Sequence, residues 1–233
     1  MGTTVDRSIS SRHDDVVNLC FHGIGTPGRT LGAGEPPYWV RASQFTELLA
    51  VIREHPEVRL TFDDGNMSDV THALPVLLEH DLTATFFVVS GRLEMPGSLG
   101  ADDVRTLVHS GMTIGSHGMF HRPWRGLAPD ALSVELGDAA GILADVVDQP
   151  IRAAACPFGA YDRRVLRSVR RHGFTRVYTV DGPAARGDSW LQSRYSVRNT
   201  DTPAALEQII LSPSGGALQS AVRSGKNFVK RIR

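Results

Sequence analysis

Only two cysteines, Cys20 and Cys156, occur in the chain, too few and too far apart for a disulfide framework or a thiolate metal site. Each stands in an apolar run and reads as a small buried hydrophobe. Neither charge is in excess, since 25 Lys and Arg are matched by 25 Asp and Glu. Without an overall positive field to draw a phosphate backbone, a nucleic-acid partner is not expected. No apolar run reaches the roughly 20 residues that span a bilayer, and the polar stretch 1–14 lacks the apolar centre of a secretory signal. A cytoplasmic location is the expectation. The Gly-x-Gly-x-x-Gly turn of dinucleotide-binding folds is missing as well, and no internal repeat is visible.

What is present is an ordinary globular composition, 41% hydrophobic and 21% charged over 233 residues, a length that one α/β core can serve. The expected organisation is a polar leader over 1–14, one domain over 15–211 and a basic tail over 212–233. That tail carries Arg223, Lys226, Lys230, Arg231 and Arg233 without an acid. It reads as a solvated segment, with contact to a membrane surface as the alternative. Within the domain, strands are expected at Val16–Phe21, Val58–Phe62, Thr83–Val89, Met112–Gly115, Arg152–Cys156, Arg176–Val180 and Leu191–Val197. Helices are expected from Ser43 to about Glu54, from Ser68 with a bend at Pro75, and over Asp102–His109, Pro129–Val147, Asp162–His172 and Pro203–Leu211. A polar loop precedes Leu191. Strict alternation implies βαβ units and a parallel sheet, either a closed or nearly closed barrel or an open doubly wound sheet.

Chemistry concentrates at strand ends. Thr61-Phe62-Asp63-Asp64-Gly65 puts adjacent carboxylates where parallel α/β folds build their sites. Neighbours on a strand point to opposite sides, so both acids serve one centre only if the chain turns there, which Gly65 would permit. His117 and His121 stand at i and i+4 just after another strand. On a helical turn they would share a face and, with one carboxylate, form a two-His, one-carboxylate set with open positions for water and substrate.

These motifs resemble those of the polysaccharide deacetylases of the NodB-homology type, carbohydrate esterase family 4. Thr61 to Gly65 resembles the first family motif in full. Ser116-His117 with His121 resembles the second, and Pro157-Phe158-Gly159 the third, in the same order and with fitting spacing over about residues 15–197. The resemblance implies a distorted (β/α)7-type barrel, complete or not, with mostly parallel strands. It also implies a metal-dependent hydrolase that removes the N-acetyl group of an N-acetylhexosamine unit in a saccharide or glycoconjugate.

In that reading Asp64, His117 and His121 hold a divalent ion and Asp63 is the general base. The Phe158 N–H, framed by Pro157 and Gly159, faces the oxyanion. Zinc suits the ligand set first, and cobalt, nickel or iron(II) would also fit. Two departures stand out: Ala155 occupies the position of the third-motif arginine, and no histidine follows His172 to match the late Leu-x-His motif. Leu19-Cys20-Phe21-His22-Gly23 resembles instead the first-strand end of a circularly permuted subgroup, the poly-N-acetylglucosamine deacetylases. That likeness assigns the acid to His22, and Arg194 is the candidate substitute for the arginine.

Trp190, beside Asp188 and Ser189, reads either as a wall for a sugar ring or as a core residue. His55, His80, His109 and His172 fall near helix ends, where an imidazolium suits the helix dipole, while His13 and His72 belong to no motif. Competing functions are a sugar deformylase or other amide hydrolase on the same site, and a catalytically inactive carbohydrate-binding homologue.

Overall fold

Residues 15–213 are described by the computed structural model. The polar leader with His13, and the basic tail beyond 213 with its membrane-contact reading, lie outside the described residues. Eleven strands run in chain order: β1 (Asp15–Phe21), β2 (Gly23–Ile24), β3 (Trp39–Val40), β4 (Val58–Asp64), β5 (Ala84–Val88), β6 (Thr113–Ser116), β7 (Ala153–Ala155), β8 (Arg176–Thr179), β9 (Ala184–Arg186), β10 (Leu191–Ser193) and β11 (Tyr195–Ser196). The main sheet has the order β10-β8-β7-β6-β5-β4-β1-β11, with every neighbour parallel. Only Arg194 separates β10 from β11, so the two behave as one stave. Its first half pairs with β8 through Ser193 and Thr179, and its second half pairs with β1 through Tyr195 and Leu19. The sheet thereby curls into a nearly closed, mostly parallel barrel. β9, expected as polar loop, adds an antiparallel rung to β1, and β2 and β3 form a separate parallel pair.

The helices follow the expected pattern, with shifts at their ends. The first spans Ala42–Ile52 and is entered from Arg41 rather than capped by Ser43. Asp162 does cap its helix, its Oδ1 accepting the Val165 N–H at 2.8 Å, and Thr202 caps the last helix in the same way. Pro75 offers no N–H to the turn before it, and that turn, Asp69–Ala73, is π-helical. The long helix over 129–147 opens with Pro129 and widens into a π turn at Val134–Asp138. Among the described residues no helix is long and apolar enough to cross a membrane.

Period-two alternation along the staves creates two interiors. Outward residues such as Leu19, Phe21, Leu60, Phe62, Phe86, Ile114 and Val177 pack against the helices in one continuous apolar core. Inward positions are polar, aromatic or small. Phe87, Ala155 and Tyr178 form a small separate cluster inside the barrel, and Asn18 donates to Gln192 of the adjoining closing stave at 3.0 Å. Gly115 makes room for that filling, because a Cβ there would lie 2.4 Å from the Phe87 ring. Gly115→Ala should therefore overpack the barrel and cost about 1–3 kcal/mol, measurable by chemical denaturation; unchanged stability would mean that Phe87 has free space around it.

Candidate active site

The two adjacent aspartates part company at the top of β4. Asp63 continues the strand with an inward side chain, level with Phe87 of β5. Asp64 has φ 82° and Gly65 φ 67°, so the turn begins one residue earlier than Gly65 alone would give. A left-handed conformation is costly for a residue with a Cβ. Here it swings the second carboxylate to the same side as the first. Both acids are buried, Asp63 at 2% and Asp64 at 3% exposure.

Arg194 reaches Asp63 from the closing stave. Its Nη1 donates to Asp63 Oδ1 at 2.6 Å and its Nη2 to Oδ2 at 2.7 Å, a bidentate fork. Nη1 also meets Thr61 Oγ1 at 3.0 Å, and the guanidinium lies 5.2 Å from the Phe87 ring centroid and 5.7 Å from that of Tyr178. Burial alone would raise the Asp63 pKa. The Arg194 guanidinium outweighs it, with His117 adding to the pull, and holds the carboxyl far below the usual carboxylate range. The guanidinium on Asp63 thus comes from the closing stave, and β7, which ends at Ala155, offers none.

His117 and His121 converge with ring centroids 4.9 Å apart, though not on the helical turn that their spacing suggests. Residues 117–121 form a loop after β6, shaped by Gly118 at φ 82° and His121 at φ 50°. The loop rides on the neighbouring segment, with His117 N–H donating to Val88 and the Ser90 and Gly91 amides donating to Gly118 and Met119. His117 Nδ1 lies 2.9 Å from the Ala155 carbonyl. A carbonyl only accepts, so Nδ1 carries a hydrogen, and Nε2 points to the two carboxylates, 3.6 Å from Asp63 Oδ2 and 3.7 Å from Asp64 Oδ1.

One ligand atom from each of Asp64, His117 and His121 lies within 4.8 Å of the others. His121 Nε2 stands 3.0 Å and His117 Nε2 3.7 Å from Asp64 Oδ1. That oxygen is buried, and no donor among the described residues hydrogen-bonds to it. Ligand atoms around one tetrahedral zinc stand roughly 3.4 Å apart. The donor set, the spacing and the unsatisfied oxygen all fit a divalent cation. Burial, with His117 nearby, pushes the His121 pKa down to about 4, so this ring keeps its lone pair at neutral pH.

His22, at the end of β1, has a ring nitrogen within 4.8 Å of Asp63 and of Cys20 Sγ. This second cluster suits a cation poorly, because both Asp63 oxygens already face the Arg194 guanidinium. His22 Nδ1 is buried without a partner among the described residues. Burial lowers its pKa, against the opposing pull of Asp64 and Asp63. Across the cleft, Phe158 has φ 56° in the short 3-10 segment Pro157–Gly159, where a first-turn N–H has no partner within the segment. Its ring lies 4.6 Å from that of His121. Gly159 is required behind it, since a Cβ would come 2.4 Å from Val180.

The cleft has a volume of about 600 Å³ and is rimmed by Tyr38, Trp39, Phe158 and Val180, with Arg29 and Gly32 to Glu35 of the segment between β2 and β3 also lining it. Trp190 does not. Its indole N–H donates to Phe174 O at 2.9 Å, and Arg170 stacks on it at 4.4 Å, at the opposite end of the stave from the site. The sugar-wall expectation for Trp190 is corrected on that ground. Sequence reasoning missed Arg29, which links Glu35 at 2.7 Å to Asn66 at 3.0 Å and lies 3.9 Å from Asp64. It also missed Arg92, 3.4 Å from His121 Nδ1, and Glu135 beneath the histidine loop. Nothing in the sequence singles Glu135 out, since Asp130, Asp138 and Asp145 stand on the same helix.

A family model described as polysaccharide deacetylase matches residues 51–177. YxkH of Bacillus subtilis (strain 168) is 26% identical over 141 residues, 60% of this chain, and the chain spans about half of its length, 50%. The Streptococcus pyogenes deacetylase PplD, solved in complex with acetate, superposes with a TM-score of 0.73 at 22% identity, covering 84% of this chain and 98% of that one. IcaB from Ammonifex degensii superposes with a TM-score of 0.69 at 22% identity, covering 85% of this chain and 96% of that one. At such identities the two structures speak for the shared barrel fold.

The depressed His121 pKa has a consequence for the metal-free protein. The folded chain keeps the ring neutral where the unfolded chain would protonate it, so the unfolded state binds more protons between the ordinary value of 6.5 and about 4. Stability should fall as pH is lowered through that window, by on the order of 3 kcal/mol from this residue. The depressed carboxyls of Asp63 and Asp64 add losses only at more acid pH. Denaturation of chelator-treated protein across the window should show the slope, and His121→Asn should reduce it. An equal slope in the variant would rule out His121 as its source.

Proposed function

The chain belongs to the polysaccharide deacetylase family, and on that premise we propose that its cleft hydrolyses the amide of an N-acetylhexosamine unit with a divalent ion, zinc first, held by Asp64, His117 and His121. The observation that carries this reading is the division of labour between adjacent acids. Asp63 is locked in the Arg194 fork, while Asp64 turns its unsatisfied oxygen to two imidazoles. The acetate bound by the Streptococcus pyogenes deacetylase is the product that such a reaction releases, and the rim aromatics Tyr38, Trp39 and Phe158 offer flat faces to a sugar ring.

An amide resists hydrolysis because its carbonyl is a weak electrophile and its amine a poor leaving group. The ion, when bound, supplies Lewis acidity, which acidifies water and draws charge from the acyl oxygen. Asp63 accepts the proton of the attacking water. With Arg194 on both its oxygens it is always ionised at neutral pH and cannot rotate away, which trades basicity for position. The Phe158 N–H faces the oxygen on which charge develops. His22, with a ring nitrogen within 4.8 Å of Asp63, delivers a proton to the departing nitrogen.

Asp63→Asn is expected to keep the ion and lose turnover by about 10²–10⁴, whereas Asp64→Asn should lose the ion. Metal analysis of the two purified variants, with acetate release from N-acetylglucosamine oligomers, UDP-N-acetylglucosamine and a lipid-linked acetamido sugar, checks both. Equal loss of metal from the two would reverse the assignment.

His22→Ala should cut deacetylation by about 10² or more with metal content and folding intact. A general acid works protonated, so kcat/KM should fall as pH rises through the His22 pKa, which lies below the ordinary 6.5. The variant should lack that limb, and near-normal activity in it would leave His22 without the role.

A further inference from the structure

The helix over 129–147 turns one carboxylate fully inward. Glu135 has 0% exposure and lies in the π turn Val134–Asp138. Its Oε2 accepts the N–H groups of Met119 at 2.8 Å and Phe120 at 3.3 Å, and its Oε1 accepts Arg122 Nε at 2.6 Å. All three donors come from the loop that carries His117 and His121 or from the residue next to it. The loop has no helix or strand of its own to satisfy its amides. The Gly118 N–H goes to Ser116 Oγ at 3.2 Å, and the next two go to Glu135. The carbonyls of Gly118 and Met119 are taken by Ser90 and Gly91. Each backbone N–H between the two imidazoles therefore has a fixed partner, and two of the three partners are one oxygen of Glu135.

The approach is close. A Cβ on Gly118 would lie 2.4 Å from Glu135 Oε2 and 3.1 Å from Trp124 Nε1, so the backbone rests directly on the carboxylate. Two amides and a guanidinium converge from different directions on this buried point, and a carboxylate has two acceptor oxygens and no donor to conflict with them. Glutamine would turn an NH2 group toward one set of donors. Removing the acceptor would leave the amides desolvated and unpaired, at about 1–3 kcal/mol each.

We propose that Glu135 is the positioning residue of the histidine loop: it pins Met119 and Phe120 so that His117 and His121 already face Asp64 before an ion arrives, and so sets how tightly the ion is held. The inference rests on the reading of Asp64, His117 and His121 as ion ligands. Glu135 touches neither the ligand atoms nor the cleft, and it reaches the two histidines through the Met119 and Phe120 amides, with Arg122 on its other oxygen. A purely structural role would lower the stability of the whole chain and leave the ion affinity of the folded fraction as it was.

The test is a Co²⁺ titration of wild type and Glu135→Gln, read by the visible absorption of the bound ion, with circular dichroism and thermal unfolding as the check on folding. The wild type should bind Co²⁺ and the folded variant should bind it about 10–100-fold more weakly, with a changed absorption band. A folded variant with wild-type affinity and spectrum overturns the proposal. A second measurement needs no variant and decides the matter if Glu135→Gln does not fold: hydrogen exchange at the Met119 and Phe120 amides of metal-free wild type. Slow exchange supports the preset loop, and exchange at the rate of an unstructured chain overturns it. A wild type that takes no Co²⁺ sinks the ion-ligand reading first, while the exchange rates still report whether Glu135 holds the loop.

Discussion

The fork between Arg194 and Asp63 is the interaction around which the remainder of the molecule is arranged. A buried carboxylate without a counter-charge would be strongly destabilising, and a buried guanidinium no less so. The barrel brings the two together at its centre. It surrounds the guanidinium with the Phe87 and Tyr178 rings and the Thr61 hydroxyl, and it keeps Gly115 bare so that Phe87 can occupy that space. Arg194 belongs to the stave that passes from β8 to β1. The contact that orients Asp63 is therefore also the point at which the sheet closes.

With Asp63 committed to Arg194, its neighbour is released for a different task. Two carboxylates one residue apart would ordinarily repel and titrate together. Here one is neutralised from inside the barrel, and the other is turned into the same cleft by a left-handed backbone, toward two imidazoles. The separation comes from sheet geometry and one strained φ, with no intervening residue. A glycine follows at position 65, and it too is needed for close approach, since a Cβ there would come 3.0 Å from Val88.

Much of this was legible in the sequence because it is local. The alternation of strands and helices, the strand-end acids and the paired histidines are short-range patterns, and the structure places His22, Asp63, Asp64, His117 and His121 around one cleft. Ala155 in place of the third-motif arginine, with the resemblance to the permuted subgroup, made Arg194 the candidate, and the structure brings its guanidinium to Asp63. What was not legible depended on which distant surfaces meet. The i, i+4 spacing of the histidines suggested a helical turn, whereas Gly118 and the anchoring of the loop on residues 88–91 produce the same convergence without one. Trp190, directly before Leu191, already stood at the amino end of its stave, away from the site, a sign that the sugar-wall reading passed over. Glu135 and the Arg29–Glu35 clamp are ordinary charged residues in sequence, and only tertiary approach gives them partners.

The closing stave also governs when this site can come into being. Asp63 and Arg194 are separated by 131 positions, and the pairing of β1 with β11 spans nearly the whole described chain. Contacts of such long range form late, because the loop they close is entropically expensive. A nascent chain that has emerged as far as β8 holds both aspartates, both loop histidines and His22, yet lacks the guanidinium. Asp63 must remain hydrated until the seventh stave docks. The Arg194–Asp63 fork is consequently absent from any form of the barrel in which the closing stave has not docked.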